Sequence, residues 1–345
     1  MIKVHIDKGA SSPSNKRLLL REILPGLFLA CAVTTLAFAI RALPGLTLFS
    51  PMILAVGVGL ALSAVVGKRS SVRAGLHFSQ RSLLRIGIVL LGFQLTWPQL
   101  VAIGSTGFFV VALSLIAAFF FTIVMGRLLR VESKLSQLIA AGTSICGVSA
   151  IVAANAVISA RDEDVTYAVA SITLFGTIAM FAFPLLALVL GLDARSYGLW
   201  AGSSIHEVAQ VVGASFQQGD VAGEIGVVAK LTRVAMLAPM ILLLGNFARR
   251  EDAATSATSR QVPWFIFGFM AIVLVNSAVE LPVQVRQAAG VATTFLLSVG
   301  LASLGLQANI ASIRSRGLAP LLLGLMTSLF IACFALALIK SLPAI

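Results

Sequence analysis

The chain has 345 residues, 59% of them hydrophobic and only 11% charged, with a mean hydropathy of +1.01. Soluble domains carry about a quarter charged residues, so this composition excludes a soluble globular enzyme and indicates a polytopic membrane protein in contact with the lipid bilayer. The formal charge of +12 would suggest nucleic acid in a soluble chain, but here most Lys and Arg stand between apolar runs, where they report orientation, and no nucleic-acid partner is expected.

Residues 1–22 are polar and basic, with Lys3, Lys8, Lys16, Arg17 and Arg21, and read as a cytoplasmic arm. The apolar run 23–40 follows. Ala37-Phe38-Ala39 imitates a signal-peptide cleavage site, but the run outlasts a signal core and Arg41 closes it, so it is read as a retained extra helix. Further apolar runs lie at 50–66, 82–96, 103–126, 136–159, 165–191, 196–213, 225–245, 263–279, 288–304 and 318–341, making eleven expected spans. The runs 82–96 and 196–213 are marginal in length. Positive charges gather at Lys68, Arg69, Arg73 and Arg81, at Arg127, Arg130 and Lys134, at Arg249, Arg250 and Arg260, and at Arg314 and Arg316. Eleven crossings from an internal N-terminus put all four groups on the cytoplasmic side and the C-terminus outside, with Arg41, Arg161 and Arg286 in the opposite loops. Residues 246–262 read as a cytoplasmic connector.

The fifth run holds the stretch that decides the most, A-A-G-T-S-I-C-G-V-S-A-I-V-A-A-N from Ala140 to Asn155. Gly142 and Gly147 weaken a helix on either side of Thr143, Ser144 and Cys146. One reading is a broken helix, whose loosened backbone must be covered by protein or line a cavity and whose half-helix N–H groups suit anions. The other is a continuous helix with small residues at a tight helix–helix contact. Cys146 lacks a nearby base or resolving cysteine and reads as a small packed residue, and Cys31 and Cys146 and Cys333 show no disulfide or metal spacing. No metal site is expected.

A repeat is legible. Ser50–Gly67 aligns with Ser196–Gly213, both beginning with Ser and ending V-V-G, at an offset of 146. Leu83–Leu90 aligns with Leu231–Ala238, Arg85 opposite Arg233, at an offset of 148, and Gly142 then faces Gly290. Residues 50–191 and 196–341 are therefore expected to be two five-helix repeats, inverted because five is odd, as in transporters of this kind. On that pairing the tenth run should break between Gly290 and Gly305, with Thr293, Thr294 and Ser298 as its polar groups, and cross the broken fifth.

Charges lie inside the apolar runs. Ser203, Glu207 and Gln210 share a helical face with His206 beside them, and Lys230 and Arg233 follow one turn apart. A charge at a helix centre costs about 2.5–3.5 kcal/mol on insertion scales, so such groups pair or line water. One reading is an internal ion pair of Glu207 with Lys230 or Arg233. The other is a surplus of positive charge that favours an anion, with His206 and Glu207 able to carry a coupling proton.

At A-G-T-S-I-C-G-V-S-A-I (Ala141–Ile151), W-A-G-S-S-I-H-E-V-A-Q-V-V (Trp200–Val212) and A-K-L-T-R (Ala229–Arg233) the chain resembles the sulfate exporter (PSE) family of bacterial inner-membrane proteins, over about residues 20–340. The resemblance implies a secondary transporter without ATP use, with a fold similar to the bile acid–sodium symporter group: all-α, with two inverted five-helix repeats and crossed discontinuous helices. It carries over to Thr143, Ser144, Cys146, His206, Glu207, Lys230 and Arg233; with Gly147 and Ser203 beside them, and Thr293 and Thr294 from the repeat pairing, these residues give the expected substrate contacts, and His206 and Glu207 the expected coupling pair. The expected activity is movement of a small anion, a sulfate-like oxyanion or a sulfonate, by alternating access and not enzymatic conversion. No cofactor is expected; the coupling ion, Na+ or H+, stays open, as does a homodimer. The alternative is an integral-membrane enzyme with His206 and Glu207 as acid and base.

Overall fold

The computed structural model describes residues 13–43, 49–63, 69–94, 96–97, 104–237, 239–240, 264–279, 281–307 and 317–342. The expected connector at 246–262 and the cation groups at Arg249–Arg260 and Arg314–Arg316 lie outside these residues. Every regular element among the described residues is helical. Five helices are long and apolar enough to cross a membrane, and three shorter apolar ones accompany them.

Helix α1 runs Pro13–Arg41, so the described part of the expected polar arm is already helical. Helix α2 is Pro51–Ser63. Helices α3 (Ser70–Phe78) and α4 (Leu84–Leu91) join through a π-turn at Ser79–Leu83 into one rod, which starts well before the expected run at 82. The reason is amphipathicity. Arg73, His77 and Arg81 recur every fourth residue on an exposed stripe, while Val72, Gly75 and Leu76 are buried, so a hydropathy window sees only the second half. Arg73 and Arg81, expected in a loop, stand on this rod. Its buried face meets α1 so closely that a Cβ added at Gly26 would strike backbone of Val72 and Gly75.

Helices α5 (Gly104–Leu128), α6 (Ser133–Ser144), α7 (Val148–Ile158), α8 (Asp162–Leu190), α9 (Ala194–Ser204), α10 (Val208–Ser215), α11 (Asp220–Ala235), α12 (Trp264–Ala278), α13 (Val283–Leu306) and α14 (Leu318–Ser341) complete the described fold. They form two layers. Helix α13 packs most extensively on α2 and then on α4 and α1; α12 also packs on α4. The second layer gathers α5 to α11 with α14.

The expected fifth span is interrupted, but it is not a crossing. At the start of α6, Lys134 Nζ donates to the Ser159 carbonyl at 3.0 Å and Glu132 pairs with Arg161, both beyond the end of α7. Toward the tip a Cβ on Gly142 would meet Ile151 of the other arm at 2.9 Å. Helices α6 and α7 are therefore the two arms of a re-entrant hairpin. With 12 and 11 residues, the arms reach about 18 and 16 Å at 1.5 Å per residue, near half of a roughly 30 Å hydrocarbon core. The expected seventh span is a second hairpin. Helix α9 stops at Ser204, α10 begins at Val208, and near their far ends the Tyr197 hydroxyl donates to the Ala214 carbonyl at 2.9 Å.

Helix α8 links the two. It has 29 residues, about 43 Å, and runs from just after Arg161 to Gly191, where Asp193 caps α9 by accepting from the Arg195 and Ser196 N–H groups at 2.9 and 3.0 Å. A helix of that length is long enough to cross a membrane, and the open ends of the two hairpins stand at its opposite ends. The expected pairing of the fifth span with the tenth is thus corrected. Helix α13 is unbroken from Val283 to Leu306. Its glycines serve contact instead: a Cβ on Gly300 would strike Leu84, and one on Gly305 would strike the Val56 carbonyl.

Candidate functional site at the hairpin tips

The first tip is Ile145–Gly147. Gly147 sits at φ +70°, and a Cβ there would lie 2.6 Å from Cγ of Glu207 in the other tip. Only glycine meets both demands, the left-handed backbone and the close approach. The second tip, Ile205–Glu207, has no glycine and is extended, with ψ of 147° at Ile205 and 148° at Glu207. Gln210 holds that turn from inside the next helix: its Oε1 accepts the Glu207 backbone N–H at 3.0 Å, and its Nε2 reaches the Thr173 carbonyl and Thr177 hydroxyl at 3.2 and 3.3 Å.

The last carbonyls of α6 and α9 have no partner within their own helices, and both sets face α11. Arg233 serves them together. Its Nε donates to Ser144 O at 2.9 Å and its Nη2 to Thr143 O; its Nη1 donates to Ser203 O at 2.9 Å, Ile205 O at 3.2 Å and Gly202 O at 3.4 Å. Lys230 adds a bond of 2.6 Å from Nζ to Ile205 O. Both cations are 0% exposed. They therefore neutralise the negative ends of two half-helices, a role that helix electrostatics favours.

Neither expected ion pair forms. Glu207 makes no salt bridge with Lys230 or Arg233 among the described residues; its carboxylate accepts from the Thr173 hydroxyl at 2.9 Å, at the positive end of α10. His206 turns the other way, its Nε2 lying 3.1 Å from the Ser328 hydroxyl of α14. Beside this frame are buried polar atoms without a hydrogen-bond partner among the described residues: the hydroxyls of Thr143, Ser144 and Ser204, and Nδ1 of His206. Among the described residues Lys230 uses one of its three N–H bonds.

Of the residues singled out from sequence, the structure brings Thr143, Ser144, Cys146, Gly147, Ser203, His206, Glu207, Lys230 and Arg233 to the two tips. Among the described residues no hydrogen bond ties Thr293 or Thr294 to the tips, and the Thr293 hydroxyl is buried without a hydrogen-bond partner there. These stand on α13 in the other layer, Thr294 donating to Gly290 O at 3.0 Å and lining, with Thr35, Phe38 and Phe295, an apolar groove of about 690 Å³ between α1 and α13. Ser204 is legible in the sequence as a polar group of the seventh run, whereas Thr173, Thr177 and Ser328 are not marked by it. Thr173 and Thr177 sit one turn apart in an apolar run, which is the signal that could have marked them.

The family model described as Conserved hypothetical protein 698 matches residues 25–324, which includes both hairpins and α11. The chain belongs to this family. A UPF0324 membrane protein of Corynebacterium glutamicum is 36% identical over 321 residues, covering 92% of each chain. One from Neisseria meningitidis is 35% identical over 289 residues, 82% of this chain and 86% of the relative. The UPF0324 inner membrane protein YeiH of Escherichia coli is 33% identical over 314 residues, 88% and 90% of the two chains. No solved structure matches the chain. Family membership and the apolar helices agree on a membrane protein, as the resemblance implied; none of these names carries a substrate.

Proposed function

We propose that this protein is a secondary transporter that moves a small anion, a sulfate-like oxyanion or a sulfonate, across the inner membrane by alternating access. The observation that carries the reading is the meeting of two interrupted hairpins, open at opposite ends of α8, around buried cations and unpartnered hydroxyls. Polar groups left unpaired at membrane depth are costly and mark a pathway or a binding site. The charge balance favours an anion. Two half-helix C-termini supply about −0.5 each against the two cations, two N-termini supply about +0.5 each around Glu207, and about one positive charge is left over. The free N–H bonds of Lys230 and the hydroxyls of Thr143, Ser144 and Ser204 are the donors for the ligand, and each hairpin gates its own side. Glu207 and His206 carry the coupling proton.

The cation distribution supports an orientation. Arg127, Arg130, Lys134 and Arg161 flank the first hairpin in sequence, while the stretches flanking the second, 191–196 and 215–220, hold one Lys or Arg, Arg195. The first hairpin then opens to the cytoplasm and the second outward, with the N-terminus inside and the C-terminus outside. The enzyme reading is weaker because His206 and Glu207 diverge, one to Ser328 and the other to Thr173, so they do not address a common atom. Uptake of radiolabelled sulfate, sulfite and small sulfonates into proteoliposomes tests the proposal. Saturable uptake that falls at least tenfold in Lys230→Gln is expected; absence of uptake across the panel, or chemical conversion of the anion, would overturn it.

A further inference from the structure

In transporters with broken helices, unwound carbonyls and half-helix C-terminal ends coordinate the coupling metal cation. This chain builds such a cage twice over, from Thr143 O and Ser144 O of one hairpin and Gly202 O, Ser203 O and Ile205 O of the other, and fills it with its own side chains. The Arg233 guanidinium touches all five oxygens and the Lys230 ammonium shares Ile205 O. A guanidinium cannot lose its proton at any physiological pH, so its charge is permanent.

We infer that Arg233 and Lys230 are resident cations occupying the place of a coupling metal ion, so that the protein binds no Na+ at the hairpin tips and its transport cycle is independent of Na+. The inference rests on the transporter reading for its consequence, but not for its test. A second feature agrees with it: both cations come from one short helix, α11, and tie the two hairpins to a common post, the service that a shared metal ion would perform.

The test is thermal unfolding of the full-length protein in detergent, at constant ionic strength, with Na+, K+ or choline chloride. The wild type is expected to melt at the same temperature in all three. Arg233→Ala should melt lower and recover saturably with millimolar guanidinium chloride, which refills the cage. Where Arg233→Ala does not fold, Lys230→Ala replaces it, with methylammonium as the refilling ion. Saturable stabilisation of the wild type by Na+ over K+ and choline would overturn the inference, and so would failure of every cation to stabilise either variant that folds. Anion uptake separates this from the reading beneath it. Uptake by the wild type that needs Na+ would sink the resident-cation idea and keep the transporter; absence of uptake together with guanidinium rescue would do the reverse.

Discussion

Gly147 and Glu207 are the pair through which the hairpin tips touch. Replacing Gly147 by Ala adds a Cβ at φ +70° and forces it against Glu207, so a loss of about 1–3 kcal/mol is expected, read as a lowered melting temperature in detergent. An unchanged melting point would mean the tips do not meet as described. Thr173→Val removes the hydroxyl that serves the buried Glu207 carboxylate and should cost about 1–3 kcal/mol by the same assay, with Thr173→Ser largely restoring it. Asp193, outside the spans, is held below the usual carboxylate range by hydrogen bonds from Ser196, side chain first and then backbone. A depressed carboxyl adds stability above its ordinary value and loses it as pH falls through the folded one. Asp193→Ala should therefore lower stability by about 1 kcal/mol at neutral pH, and the gap to wild type should close in acid. A gap that stays constant down to acid pH would exclude the ionised cap.

Between residue and molecule, the hairpins show how far an element can be read from its own composition. The first interruption is legible because Gly142 and Gly147 weaken the helix locally. The second is not, because Ile205, His206 and Glu207 contain no helix breaker; the turn is made by Gln210 from the next helix and by Arg233 and Lys230 from α11. In the opposite direction, the glycines of α13 look like a break and act as contact surface against α2 and α4. The same logic governs the α1–α3 crossing, where Gly26 and Gly75 let two backbones approach. Gly26→Leu should separate them and lower the melting temperature, an overpacking cost of about 1–3 kcal/mol or more, whereas Gly57→Ala, with open space around it, should be near neutral. Equal effects at the two positions would remove the crossing from the account.

For the whole molecule, two hairpins in place of two crossings change the loops between them and nothing beyond. Each removes one crossing, so Arg161 moves to the side of Arg127 and Arg130, and Arg69, Arg73 and Arg81 keep theirs. In a background with Cys31, Cys146 and Cys333 replaced by Ser, Glu163→Cys should react with a membrane-impermeant thiol reagent only in inside-out vesicles. Asp220→Cys should react only in right-side-out ones. Labelling of Glu163→Cys from outside would restore the crossing reading of the fifth run.

Composition alone settles that the chain lives in lipid, since so few charges and so much apolar length leave no other solvent. Sequence also places buried charges near one another along the chain and marks one weak point in a helix. What it cannot contain is which carbonyls a side chain serves ninety residues away, as Arg233 does for Thr143. Whether an apolar run crosses or turns back depends on such partners, because unpaired backbone ends are tolerable in hydrocarbon only where something distant satisfies them. That choice belongs to the assembled layers.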